Sequence, residues 1–201
     1  MINKGTVLLE TDRLILRKFK YSDAEYMFKN WGSDPKVSKF LSWPTHSDVN
    51  VSQKIINNWI EEYNNNIYNW AIELKSIHEA IGAISIVELD QASEACEIGY
   101  CISSRYWNEG FTSEAFKAVI DYLFKEIHIN RIVAKHDIDN PASGKVMKKC
   151  GLTYEGILRE SKKIKGKLGS FAVYSILARV GLWRRRWGLC SRSGIEGMCL
   201  M

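Results

Sequence analysis

Arg105-Tyr106-Trp107-Asn108-Glu109-Gly110-Phe111-Thr112-Ser113-Glu114-Ala115 joins two runs of different period. Before it, residues 95–103 read as a strand. After it, residues 112–127 read as a helix, with Phe116, Val119, Ile120, Leu123, Phe124 and Ile127 at helical spacing. A strand that turns through a glycine into a helix start leaves backbone N–H groups free, and the positive end of the helix dipole points the same way. Gly110 lets a bulky anion approach the backbone. A phosphate-bearing ligand is the first expectation. The dinucleotide fingerprint G-x-G-x-x-G and the P-loop pattern are both absent.

Downstream lies a second constellation: Asn140-Pro141-Ala142-Ser143, then Val146, Lys149, Gly151 and Leu152. Asn140 suits a helix N-cap, Pro141 the first helical position, and Gly151 the stop. A strand over 131–136 precedes it. Upstream, 14–17 reads as a strand, and a helix starts at Ser22 or Asp23 and runs to about residue 30. Residues 32–44 are turn-rich, and a second helix covers 49–63. Runs 68–74 and 80–87 read as a hairpin. Two last strands, 154–159 and 170–177, flank a polar stretch over 162–169. The order β-α-α-β-β-β-α-β-α-β-β indicates an α/β chain of α+β type. It predicts one domain with a central mixed, mostly antiparallel sheet flanked by helices.

Composition agrees with one globular unit: 201 residues, 46% hydrophobic and 25% charged. The net charge of +5 is uneven. Residues 178–201 hold five arginines (Arg179, Arg184, Arg185, Arg186, Arg192) and one acid, Glu196, leaving +1 for residues 1–177. The body gives no argument for nucleic-acid binding. Residues 178–201 are expected to form a poorly ordered basic extension. Five cysteines with no C-x-x-C pair, and four scattered histidines, signal neither disulfides nor a metal site. No apolar run of membrane-spanning length and no signal-peptide pattern occurs, so a cytoplasmic setting is expected, with no membrane partner.

With both constellations in hand, the chain resembles the GNAT superfamily of N-acetyltransferases, nearest its ribosomal-protein alanine N-acetyltransferase branch. The residues that carry the resemblance are Glu10-Thr11-Asp12-Arg13-Leu14-Ile15-Leu16-Arg17, Glu97-Ile98-Gly99-Tyr100, the Tyr106-to-Ala115 turn, and Asn140, Ser143, Lys149 and Gly151. Glu155-Gly156 and Leu158-Arg159 extend it. It spans about residues 8–177, which places an acetyltransferase domain at 1–177.

The resemblance implies acetyl-CoA as donor, no metal, and a primary amine as acceptor. The favoured acceptor is a protein N-terminal α-amine; a polyamine or amino-sugar is the alternative within enzymes. A non-catalytic acyl-CoA-binding module is the alternative of another class. A homodimer is among the assemblies the family implies. A strongly acidic acceptor cleft would favour a polycation, and a narrow, less charged groove a peptide terminus. The pyrophosphate falls to the turn formed by Trp107, Asn108, Glu109, Gly110, Phe111, Thr112 and Ser113. The pantetheine arm would run beside Cys101, Ile102 and Ser103, with Asn140 and Ser143 opposite. Three positions depart from the family pattern: Asn108 for a glycine, Leu152 for a phenylalanine, and Met147 where many relatives carry a tyrosine acid.

Acetyl transfer needs a base for the ammonium, support for the oxyanion and a way out for the thiolate. Strand alternation sets Glu97, Gly99 and Cys101 on one face, so Glu97 is the candidate base. Ser143 is the candidate acid, with Tyr100 and Tyr106 as substitutes. Cys96 and Cys101 lack an activating neighbour and read as core residues. Among the tryptophans, Trp43 is the best candidate for an acceptor-pocket wall.

Overall fold

The computed structural model describes residues 2–179, and the expected extension over 178–201 lies outside the described residues from position 180 on. Eight strands form one sheet: β1 (Leu9–Glu10), β2 (Leu14–Arg17), β3 (Asn69–Leu74), β4 (Glu79–Asp90), β5 (Ala95–Ile102), β6 (Arg131–Asp137), β7 (Thr153–Ile164) and β8 (Lys167–Leu177). Their order is β1-β2-β3-β4-β5-β6-β8-β7, and every neighbouring pair is antiparallel except β5 with β6. Helices α1 (Asp23–Met27), α2 (Pro35–Ser38) and α3 (Val49–Glu62) precede β3. Helix α4 (Phe111–Tyr122) joins β5 to β6, and α5 (Pro141–Lys149) joins β6 to β7. The expected mixed sheet in a single domain is what forms.

Each face of the sheet has its own core. Leu16, Trp70, Ile72, Ile98 and Ile132 pack under the apolar stripe of α4, Phe116, Val119 and Leu123. On the other face Ala71, Ala80 and Ala83 are small enough to admit α1 and α3, through Ala24, Met27 and Ile56, together with Trp31 in the turn after α1. The alternation of β3 supplies both: Trp70 and Ile72 go one way, Ala71 the other.

The feature that positions the site is a split in the sheet. Parallel pairing of β5 with β6 lasts only three positions: Ala95↔Arg131, Cys96↔Ile132 and Glu97↔Val133. Beyond them the strands diverge, while β5 stays paired to β4 and β6 to β8. The inner edge of residues 98–102 is thus left without a strand partner among the described residues. A bulge in β4 between Ile86 and Glu88 lies opposite the point where the split begins. Bulges add local twist, which turns the end of β5 away from its neighbour.

The polar stretch 162–169, expected as a loop, is instead the end of a long hairpin. Its turn, Lys165-Gly166, has φ of +48° and +83°. Two consecutive positive φ values make the primed turn that matches strand twist. Alternation failed to reveal these strands because both of their faces are solvated and polar. Two further elements went unread: β1, only two residues long, and α2, started by Pro35 and capped by the Asp34 carboxylate accepting from Lys36 N–H at 2.8 Å.

Candidate active site

The split opens into a cavity of about 660 Å³. Residues 98–102 form one wall, and Lys135, His136 and Asp137 of β6 the facing one. What lines the cavity is therefore an edge of β5, with consecutive residues taking part, rather than one of its faces. An unpaired strand edge offers N–H and C=O groups to a ligand that can bond as an added strand does. The two amide groups of a pantetheine arm fit that requirement.

At one end of the cavity the chain makes the turn from Trp107 to Ser113. Asn108 (φ +68°) and Gly110 (φ +84°) both take the left-handed conformation. Asparagine tolerates it better than most residues, so the departure at 108 is accommodated. The first turn of α4 has no side-chain cap, which leaves its N–H groups to whatever occupies the cavity. Two cations stand beside it. A Cβ on Gly110 would lie 3.5 Å from Arg13 Nη2 and 3.6 Å from Lys149 Nζ. Open N–H groups, a helix dipole and two cations make an anion site, and the residues present fit a diphosphate.

Arg13 is itself held. Its Nε donates to Glu114 at 2.8 Å, its Nη1 to the Glu109 carbonyl at 3.1 Å, and its guanidinium lies 4.2 Å over Phe111. Burial alone would raise the Glu114 carboxyl, but bonds from Thr11 and Arg13 hold it below its usual range. Glu114 thus ties the 107–113 turn to the β1–β2 segment.

The opposite wall is the start of α5. Asn140 occupies the N-cap position but makes no side-chain cap bond, so its amide is not spent on the helix and borders the cavity. Ser143 Oγ lies 2.9 Å from Tyr100 Oη. Burial drives the Tyr100 hydroxyl well above its ordinary pKa, so it keeps its proton. Met147 is 1% exposed within the main core and takes no part in the cavity wall.

Of the residues named from sequence, Cys101, Ile102, Trp107, Asn108 and Gly110 line the cavity, as do Thr112, Ser113, Asn140 and Ser143. Ser103 is fully buried beside it, with no hydrogen-bond partner for its hydroxyl among the described residues. Glu109 reaches Arg13 through its carbonyl, and Phe111 packs in the core. Glu97 stands behind the wall, its Oε2 2.5 Å from Lys135 Nζ. Burial pushes the Cys101 thiol up to about 12, which keeps it from acting as a nucleophile near neutral pH. Trp43 is not part of the wall and packs against His46 instead, the rings tilted at 47°; the apolar wall comes from Val37, Phe40, Leu41 and Phe171.

His136 escaped the sequence reading. Its Nδ1 lies 2.7 Å from the Asp137 carbonyl, which can only accept, so Nδ1 carries the proton. The ring stacks on Tyr174 at 5.6 Å, and Nε2 is aimed at α5, 2.6 Å from where a Cβ on Gly144 would sit. A glycine inside a helix costs about 1 kcal/mol relative to alanine, and this contact is its reason. Gly144→Ala is expected to destabilise the fold by about 1–2 kcal/mol, overpacking outweighing the gain in helix propensity. His136→Ala in the same chain should restore most of the loss. Urea unfolding of both variants checks this; a Gly144→Ala protein more stable than the parent would refute the close contact.

The sequence profile described as the acetyltransferase (GNAT) domain matches residues 13–153. An uncharacterized N-acetyltransferase, p20 of Bacillus licheniformis, is 35% identical over 174 residues, covering 85% of this chain and 96% of that one. The [ribosomal protein uS5]-alanine N-acetyltransferase of Escherichia coli is 24% identical, covering 82% of this chain and 88% of its own. The crystal structure of a GNAT-family acetyltransferase from Bacillus anthracis superimposes with a TM-score of 0.76 at 26% identity, over 86% of this chain and 99% of that one. Sequence and fold both match, and the chain belongs to the GNAT family as an acetyl-CoA-dependent N-acetyltransferase.

Proposed function

We propose that the acceptor is the α-amine of a protein N-terminus. The observation that carries this reading is the character of the cavity away from the phosphate turn. Its walls are Val37, Phe40, Leu41 and Phe171, and the one carboxylate among its lining residues is Asp137. A polyamine calls for several carboxylates spaced along its length, and lysines (Lys36, Lys135) stand there instead. One ammonium beside one carboxylate, with apolar walls for a small first side chain, suits a peptide terminus. The likeness to a ribosomal-protein alanine N-acetyltransferase supports it.

In the reaction the amine nitrogen forms the new C–N bond to the thioester carbon, and the C–S bond breaks with its electron pair going to sulfur. The ammonium gives up two protons; one is released and one ends on the thiol. Glu97 is the proposed proton acceptor, working through a water beside Lys135. Ser143 is the proposed donor to the departing sulfur, its hydroxyl oriented by Tyr100.

The test is thiol release from acetyl-CoA with three acceptors: peptides bearing a free N-terminal alanine or serine, spermidine, and glucosamine. Free peptides should be acetylated at the α-amine and the small amines should not. Glu97→Gln should lower kcat about a hundredfold. Ser143→Ala should cost less, about tenfold, because a thiol with a pKa of ~8.5 leaves tolerably as thiolate. Turnover of spermidine or glucosamine alone would overturn the reading. Binding of acetyl-CoA with no release by any amine would favour an acyl-CoA-binding module.

A further inference from the structure

The charge of the described chain is concentrated at the acceptor mouth. The β7–β8 hairpin carries Arg159, Lys162, Lys163, Lys165 and Lys167, all exposed, against Glu160. Helix α2 and the residues around it add Lys36 and Lys39 against Asp34, whose carboxylate already accepts from Ser104 Oγ and Lys36 N–H. These two segments, 34–41 and 159–167, hold seven cations and two acids, a net of +5. The rest of residues 1–179 holds 17 cations and 20 acids, a net of −3. The segments are far apart in sequence but joined in space: Lys165 Nζ donates to the Ser38 carbonyl at 2.7 Å. The hairpin tip therefore rests on α2. Lys36, Val37, Phe40 and Leu41 on that side, and Phe171 on β8, line the same cavity. Lys36 in the lining and Lys165 against Ser38 thus give that side of the opening a positively charged rim.

We infer that the rim selects acceptors whose amine is followed by acidic residues, so that the substrate is an acidic N-terminal segment. The inference rests on the N-terminal reading proposed above. A peptide whose α-amine lies in the cavity has its next few residues at the rim, since an extended chain advances only about 3.3–3.6 Å per residue. Carboxylates there enter the field of Lys36 and of the hairpin's lysines, among them Lys162 and Lys163 on alternate faces of β7. Exposed charges such as these act chiefly on encounter, and their effect is screened by salt. A short acidic segment fits better than a long polyanion, because outside the two segments the full sequence holds 21 cations and 21 acids and has no net charge to track a backbone.

The experiment compares N-terminal alanine peptides of equal length that differ only in acidic, neutral or basic residues at positions 3–6. They are assayed with the full chain and with Lys162→Glu/Lys163→Glu, at low and high salt. With the parent at low salt, kcat/KM for the acidic peptide should exceed that for the neutral one by about tenfold, the difference residing in KM. High salt should remove the preference. The double variant should reverse it while leaving kcat on the neutral peptide unchanged and its urea unfolding curve in place. Equal use of acidic and neutral peptides at low salt overturns the inference and leaves the N-terminal reading standing. If no peptide of any charge is acetylated, both fall together. If an RNA oligonucleotide loses binding to the double variant while the peptides show no preference, the rim serves nucleic acid and the inference is refuted.

Discussion

Asp23→Ala is expected to lower the free energy of unfolding by about 3–5 kcal/mol, the cost of removing one partner from a buried charge cluster. Asp23 is 0% exposed, Arg17 9% and Glu73 8%. Arg17 grips Asp23 with both terminal nitrogens, at 2.7 and 2.9 Å, and donates to Glu73 through Nε. Asp23 also accepts from the Lys20 N–H at 2.7 Å. Burial opposes the Arg17 charge, yet its bonds to the two carboxylates raise its pKa above the ordinary value, so it stays a cation in the interior. The cluster joins β2, α1 and β3, where α1 meets the sheet. Alanine at 23 leaves the guanidinium with half its partners and a void in place of the carboxylate. Replacing all three residues by apolar ones of similar volume, as in Arg17→Met/Asp23→Leu/Glu73→Leu, should recover much of the loss, because the cluster's desolvation then disappears with its attraction. Urea titration at neutral pH reads both. An Asp23→Ala midpoint within 1 kcal/mol of the parent would show that water reaches the cluster and that it contributes little.

This cluster marks the limit of what the sequence disclosed. Its members stand 6 and 56 residues apart, and no local pattern announces that Arg17 points inward. Elements with strong period and punctuation were readable: the strand before Arg105, the helix after Gly110, and the Pro141 helix ended by Gly151. Their residues supply most of the cavity wall, because the phosphate turn and the start of α5 are local structures. The apolar wall of the cavity was not readable. Val37, Phe40 and Leu41 sit in a turn-rich stretch with no period, and only the sheet brings them opposite Phe171. Glu97 shows a different limit. Alternation gives the face a side chain occupies, but the cavity follows the edge of β5, and the ion pair with Lys135 depends on the parallel register of β5 with β6. Gly144 was a usable signal: a glycine inside a helix points to a close neighbour, here His136.

Gly110→Asp is expected to weaken acetyl-CoA binding by about three orders of magnitude while the fold persists. The new Cβ would lie 3.5 Å from Arg13 Nη2 and 3.6 Å from Lys149 Nζ, ordinary contact distances that require no backbone shift. A carboxylate at that point pairs with Lys149, shares Arg13 with Glu114, whose Oε2 lies 2.7 Å from Arg13 Nη2, and repels the incoming diphosphate. Two unit charges ~4 Å apart near a protein surface interact by about 4 kcal/mol, and that energy corresponds to roughly a thousandfold in Kd. The backbone at φ +84° adds about 1–2 kcal/mol of strain for a residue with a Cβ, partly offset by the new ion pairs, so the variant remains folded. Gly110→Ala separates the causes. It carries the same strain and the same Cβ without the charge, and should cost binding only about tenfold, about 1.4 kcal/mol. Calorimetric titration with acetyl-CoA at two ionic strengths decides: the gap between the aspartate and alanine variants should narrow as salt rises. Equal losses in the two would mean that Gly110 serves by its conformation alone, and that Arg13 and Lys149 are not held there to meet a phosphate.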